Sequence, residues 1–207
     1  MVFTINPVVY GNNRRQWSRC VALHFVGGVA GGALMWGLAS ALLHVLPLSA
    51  YARVIASMTG ILLGVLVDAR VIRIWVPTTG RQVPSDLRYR ASREWVALRY
   101  GFELGLGVFT RVTFALTYSV IVACGLLLNP GYGLLCGGAF GLAHSAVVLR
   151  GRSAQTREHL TKAAQGLWSH TTAVRRVVIV GSVLMLVCLG AAVLTYGAAA
   201  VLKGVAI

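Results

Sequence analysis

The sequence predicts an all-α fold, a polytopic transmembrane helical bundle of about five spans. The chain of 207 residues is 57% hydrophobic and only 12% charged, whereas a soluble domain typically carries about 25% charged residues. Two of its apolar runs, 21–45 and 177–202, exceed the roughly 20 residues that cross a bilayer core. A helix satisfies its own backbone hydrogen bonds in lipid, so these runs are expected to be helical spans.

Turns and arginine-rich loops divide the chain into five apolar stretches. A short turn at Pro47 separates the first two stretches, and the turn 129–131 separates the third from the fourth. Basic loops over 70–99 and 150–176 separate the others. The predicted spans cover about 20–45, 52–69, 100–128, 131–149 and 177–202, within a single membrane domain, 1–207.

The distribution of arginine predicts the orientation. The chain holds 19 basic and 5 acidic residues, a net charge of +14. Nearly all the arginine lies in the amino-terminal segment and the two basic loops, and Arg53 is the exception near an outer turn. Because basic loops face the cytoplasm, we expect a cytoplasmic amino terminus and an external carboxyl terminus. The wealth of Arg, Ala, Gly and Val is typical of a GC-rich bacterial genome, which suggests a multi-pass protein of the bacterial cytoplasmic (inner) membrane.

The positive charge also indicates which partners to expect. The basic loops lack a recognisable nucleic-acid-binding motif, so no nucleic acid is expected, and the expected partner is an anionic lipid bilayer. Helical spacing of Trp95 and Leu98, after a cap at Ser85 or Asp86, predicts an amphipathic helix in the headgroup region. A similar helix is predicted over 160–168. The alternative is that both are solvated helical loops.

Glycines recur at four-residue spacing along three of the spans. Such spacing leaves a flat strip on a helix and lets backbones approach closely. The strips are predicted to pack helices within the chain; the alternatives are self-association, binding of partner membrane subunits, or helix sliding during transport. The glycines are Gly27, Gly28, Gly31 and Gly32 in span one, Gly101 and Gly105 in span three, and Gly133, Gly137 and Gly141 in span four.

Four polar residues near the span ends form the predicted binding site: Asp68, Glu103, Thr110 and Arg111. Counting residues back from the outer turns places Asp68 and Arg111 at similar depths, so they are expected to lie close together at a cytoplasmic mouth. Ionisable residues inside a membrane are hypotheses of function. The alternative is interfacial anchoring, in which a long side chain reaches the headgroups.

Little in the chain points to catalysis. No nucleophile–base pair, phosphate-binding loop or metal cluster can be assembled from the sequence, and five acidic residues make paired-carboxylate chemistry improbable. No two of the four cysteines, Cys20, Cys124, Cys136 and Cys188, form a Cys-x-x-Cys pair. We therefore expect no catalytic residue, no metal and no cofactor, and a protein that is not an enzyme.

Two segments resemble a known family. The run from Gly105 to Thr110 (GLGVFT) and the run from Gly138 to Leu142 (GAFGL) are similar to motifs of the cytochrome-c-biogenesis thiol–disulfide transmembrane family. There a Gly-Leu-Gly-type run leads into Thr-Pro-Cys, within six spans arranged as two inverted triplets. This chain has Arg111 and Val112 in place of the Pro and Cys. The resemblance therefore implies a relative of that fold without its cysteine pair.

Three functions follow as hypotheses. The first is a small transporter- or permease-like protein whose polar mouth admits an unidentified solute. The second is a non-catalytic membrane subunit or scaffold that binds partner helices through its glycine strips. The third is a thiol–disulfide protein that uses Cys124 and Cys136.

The predicted topology can be tested with fusion reporters. A reporter inserted near Pro130 should report the outside, and one near Gln165 the cytoplasm, because arginine is concentrated in the loop that contains Gln165. Alkaline phosphatase and green fluorescent protein fusions measure the two sides. An external reporter signal near Gln165 would overturn the orientation.

Overall fold

The computed structural model describes residues 5–11, 13–73, 91–107, 114–152 and 171–202, with 156, 158, 159, 161, 162, 165 and 166 between the last two ranges. Over these residues the chain is helical and contains no strand. The α-helices are α1 (Arg14–His44), α2 (Ala50–Asp68), α3 (Arg93–Leu106), α4 (Leu116–Leu127), α5 (Pro130–Ser145) and α6 (Thr171–Leu202). Short 3-10 helices cover Pro7–Tyr10 and Ala146–Gly151.

Three helical segments of the described chain are long and apolar enough to cross a membrane. They are Arg14–His44, Ala50–Asp68 and Pro130–Arg150, the last comprising α5 and most of the 3-10 helix that follows. Helix α4 is apolar but has only 12 residues. The all-α membrane-type fold is thus confirmed, while the count of five spans and the orientation stay predictions.

The third predicted span differs from the observed helices. A single helix over about 100–128 was expected, but α3 ends at Leu106 and α4 begins at Leu116. Gly107 has φ = 71°, a left-handed conformation, and its N–H donates to the carbonyl of Leu104. Glycine adopts this conformation without a steric penalty and so ends helices. Residues 108–113 lie outside the described part of the chain.

Helix α3 begins at Arg93 and includes the end of the first predicted loop helix. The hydroxyl of Ser92 accepts a hydrogen bond from the N–H of Trp95 at 3.3 Å, which caps the first turn. Trp95 and Leu98 therefore belong to α3. The cap expected at 85–86 and most of the second predicted loop helix, 160–168, lie outside the described residues.

The chain divides into two compact units. The first contains α1 as far as Leu38, together with α3 and α5. The second contains the remainder of α1 from Ala39, together with α2, α4 and α6. The prediction of one membrane domain over 1–207 stays a prediction.

In the first unit, α1 and α3 are in backbone contact. A Cβ atom on Gly101 would overlap the carbonyl oxygen of His24, and one on Gly105 would overlap the carbonyl oxygen of Gly28. Gly31 lies against Phe102 in the same way. From one contact to the next, residue numbers rise on both helices, so α3 runs parallel to α1.

Helix α5 contacts a second side of α1. Gly28 faces Ser145, Gly32 faces Gly137, and Gly37 faces Leu134. Residue numbers fall on α5 as they rise on α1, so these two helices are antiparallel. The glycine strips of α1, α3 and α5 therefore pack against one another within the chain, as the preferred interpretation of the sequence predicted.

The amino-terminal segment closes one end of the first unit. Its buried apolar residues pack with α1, α3 and the second 3-10 helix, and the side chain of Asn6 accepts a hydrogen bond from the N–H of Val9 at 3.1 Å. The guanidinium of Arg93 lies 5.5 Å from the ring centroid of Tyr10, a cation–π arrangement. The buried residues of this cluster are Ile5, Tyr10, Cys20, Val21, Ala97 and Val148.

The second unit packs α2 against α4 and α6. Its buried core consists of Ile61, Val65, Leu116 and Ala123. Partly buried residues of α4 and α6 cover that core: Val120, Val178, Ile179 and Leu186.

The glycine contacts can be tested by adding one methyl group. Gly105→Ala should lower the stability of the protein by about 1–3 kcal/mol, because the new methyl overlaps the backbone of Gly28. Gly60→Ala is the matched control, since no atom of the described residues lies within 4 Å of a Cβ at that position. Its expected effect is neutral or a gain of up to roughly 1 kcal/mol from helix propensity. Thermal unfolding in detergent measures both; equal stability would contradict the backbone contact.

Candidate functional site

A groove of about 630 Å³ lies between α1 and α3 in the first unit. It is open to the surroundings, and its volume falls within the roughly 300–1,000 Å³ of small-molecule sites. The residues that line it are Gly27, Ala30, Trp95, Leu98, Arg99, Phe102, Glu103 and Leu106.

The sequence explains the shape of this groove. On α1, Gly27 and Ala30 contribute a floor with almost no side chain. On α3, Trp95, Phe102 and Leu106 recur at helical spacing and form an apolar wall. The close contact at Gly27 and Gly31 brings floor and wall together.

One ion pair interrupts the apolar lining. The Nε of Arg99 donates to Oε1 of Glu103 at 2.8 Å, and the two side chains are 47% and 26% exposed. Gly27, beside this pair, lies seven residues beyond Cys20, where the apolar run of α1 begins. Seven residues of helix correspond to about 10 Å. The pair therefore lies level with an apolar part of α1.

Asp68 has a structural partner that the sequence did not indicate. Its carboxylate is buried and accepts hydrogen bonds from the N–H groups of Ala115 at 2.8 Å and Leu116 at 3.0 Å. Ala115 supplies no side-chain cap of its own. A carboxylate at a helix amino terminus satisfies free N–H groups and complements the positive end of the helix dipole. Asp68 therefore caps α4.

Arg53 places a positive charge at the carboxyl-terminal end of α4 and donates a hydrogen bond to a backbone carbonyl there. Its guanidinium donates to the carbonyls of His44 and Leu46, both at 2.9 Å, and of Leu126 at 3.3 Å. His44 and Leu126 belong to the carboxyl-terminal ends of α1 and α4, and Leu46 lies just beyond α1. Cations stabilise a helix at this end. In the sequence Arg53 stood out only as an arginine near an outer turn. Its position away from the basic loops was the sequence feature that could have indicated its role at the helix ends.

The predicted polar mouth is only partly described. Asp68 bonds within the second unit, and Glu103 bonds to Arg99 within the first. Thr110 and Arg111 lie outside the described residues. The pairing of Asp68 with Arg111 and the mouth formed by all four stay predictions, and Arg99 is the groove residue that the sequence did not single out.

Buried polar groups also lie along α1. His24 is fully buried, with Nδ1 at 3.4 Å from the carbonyl oxygen of Ala97 and its ring stacked on Tyr100 at 5.8 Å. Nε1 of Trp36 is buried and makes no hydrogen bond to any residue that the structure describes, and its ring lies 5.3 Å from that of Phe140. These groups fill helix contacts and do not line the groove.

The described residues offer little for redox or metal chemistry. No disulfide joins the cysteines, and Cys124 belongs to the second unit while Cys136 belongs to the first. Within the described ranges no cluster of three or more His, Cys, Asp or Glu side chains could hold a metal. The groove is therefore the site that the geometry favours.

The cap on α4 can be tested by removing its carboxylate. Asp68→Ala should lower stability by about 1–3 kcal/mol, because the part-buried N–H of Ala115 and the buried N–H of Leu116 lose a charged acceptor. Glu158→Ala is the control, since that side chain is 75% exposed, and its effect should stay within about 0.5 kcal/mol. Chemical unfolding in mixed micelles measures both. If Asp68→Ala behaves like the control, the capping role is wrong.

A double-mutant cycle distinguishes the cap from the predicted pair. If Asp68 serves only as a cap, the losses in Asp68→Asn and Arg111→Ala should add. If the two side chains also pair, the cycle should show a coupling energy of at least roughly 0.5 kcal/mol.

Comparison with protein-family models, with curated proteins and with solved structures gives no match for this chain. Nothing in these comparisons bears on the likeness to the cytochrome-c-biogenesis proteins, which stays a prediction. In the structure, the first of the two resembling segments crosses the end of α3 at Leu106.

Proposed function

We propose that the chain is a transporter- or permease-like protein of the bacterial inner membrane, and that it moves an amphipathic solute along the groove between α1 and α3. The groove carries this proposal. It combines the volume of a small-molecule site with apolar walls and a single ion pair. Among the residues that the structure describes, we find no catalytic constellation that would favour an enzyme over this proposal.

The proposed topology has five spans, a cytoplasmic amino terminus and an external carboxyl terminus. The parallel arrangement of α1 and α3 supports it. Nη1 of Arg93 lies 3.4 Å from Oε1 of Gln16, so the end of the 70–99 loop lies beside the start of α1. The basic amino terminus and this basic loop then share one face, as the positive-inside rule requires, and that face can attract anionic lipid.

The packing of the glycines favours transport over scaffolding. The scaffold hypothesis needs glycine strips that are available to partner helices. In the first unit Gly101, Gly105, Gly137 and Gly141 are buried against the backbone of α1. Partner subunits would have to bind elsewhere on the chain.

A flux measurement tests the proposal. Purified protein in liposomes should speed the movement between leaflets of at least one probe from a set of chain-labelled, single-chain amphiphiles with neutral, anionic, cationic and zwitterionic heads. Albumin extraction from the outer leaflet measures the rate. Ala30→Trp should return the rate to that of protein-free vesicles, because the indole fills the groove from its floor.

Val26→Trp is the matched control for this variant. Val26 lies on α1, is exposed, and does not line the groove, so the flux should persist. Two results would contradict the proposal: no probe moves faster than in protein-free vesicles, or Ala30→Trp transports as fast as Val26→Trp.

A further inference from the structure

We infer that the groove selects a single-chain amphiphile with a zwitterionic head in which a phosphate is joined to an amine. Its chain lies along the apolar wall of α3, and its head binds Arg99 and Glu103. This inference rests on the proposed function and deepens it, because it names the class of solute.

The apolar wall fits a chain. On α3 the lining extends from Trp95 to Leu106, which corresponds to about 16 Å along the helix. The opposing side consists of Gly27 and Ala30, which place only a hydrogen atom and a methyl group opposite this long wall. An extended hydrocarbon chain matches such a shape better than a compact ring system does.

Both members of the ion pair have further hydrogen-bonding groups that a ligand can contact. Arg99 uses Nε for Glu103, and its Nη1 and Nη2 groups make no hydrogen bond to the described residues. A phosphate accepts two parallel hydrogen bonds from such a guanidinium edge. Glu103 uses Oε1 for Arg99, and Oε2 can accept from an ammonium group.

The two charges together select a zwitterion. A purely anionic head beside Arg99 would be repelled by Glu103, and a purely cationic head beside Glu103 would be repelled by Arg99. A neutral head would leave both charges without new partners. Only a head with both charges complements both side chains, and the partial exposure of each makes it accessible.

Quenching of Trp95 measures the binding. Trp95 lines the groove, so amphiphiles with brominated chains should quench its fluorescence. The difference between the wild type and Trp95→Phe isolates this signal from the other tryptophans. The four probes share one chain and carry phosphoethanolamine, phosphate, ammonium or neutral sugar heads.

We expect the phosphoethanolamine probe to bind at least about tenfold more tightly than the other three. Hydrogen bonds to charged groups contribute about 1.5–3 kcal/mol, and 1.4 kcal/mol corresponds to tenfold. Arg99→Gln should remove the contribution of the phosphate, and Glu103→Gln that of the ammonium. Glu94→Gln and Arg73→Gln are exposed controls that should change nothing.

Each outcome separates this inference from the proposed function. Loss of the zwitterion preference in both groove variants supports the inference. Equal quenching by all four probes in the wild type overturns the assignment of the head and leaves the groove and the proposed transport intact. Absence of Trp95 quenching by every probe overturns both. Displacement of the chain-bearing probe by water-soluble glycerophosphoethanolamine would show recognition of the head alone, which overturns the assignment to an amphiphile.

Discussion

The first unit depends on the glycines at which α1 touches the backbones of its neighbours, because in lipid the association of helices comes from close packing and not from burial away from water. Gly27 and Gly31 face α3, while Gly28 and Gly32 face α5. A side chain at these positions would separate the backbones and remove their contact. The same contact sets the distance between the floor of the groove and its wall, so the candidate site is a consequence of the packing.

The second unit is stabilised differently, by charges at helix ends. Helix α2 carries Arg53 near its start and Asp68 at its end. Asp68 accepts from N–H groups at the amino terminus of α4, and Arg53 donates to the carbonyl of Leu126 at the opposite end. Each charge complements the end of the helix dipole that it meets. A helix of only 12 residues is thereby fixed at both ends.

The sequence predicted the features that depend on local composition: apolar helices long enough for a membrane, and glycine strips that pack within the chain. It did not predict which distant residues Asp68 and Arg53 contact in the structure. Asp68 and Ala115 are 47 positions apart, and hydropathy says nothing about which helix end a carboxylate will cap. The break after Leu106 was missed because Gly107 looks like one more packing glycine in an apolar run, although its backbone is left-handed. The groove depends on how α1 and α3 are aligned along their lengths. The hydropathy of one span does not indicate its alignment with another.

The contrast between the charges of the two units supports a role in binding for Arg99 and Glu103. Arg53 and Asp68 satisfy backbone groups that would otherwise lack partners, so stability accounts for them. An exposed i,i+4 ion pair contributes only about 0.3–0.5 kcal/mol. On insertion scales, one charge at the bilayer centre costs about 2.5–3.5 kcal/mol, and less near the headgroups. A snorkelling arginine needs no carboxylate beside it, and Glu103 bonds to no backbone group among the described residues. At the proposed depth the pair therefore costs more than it returns in stability, which supports the proposal that a ligand binds both charges.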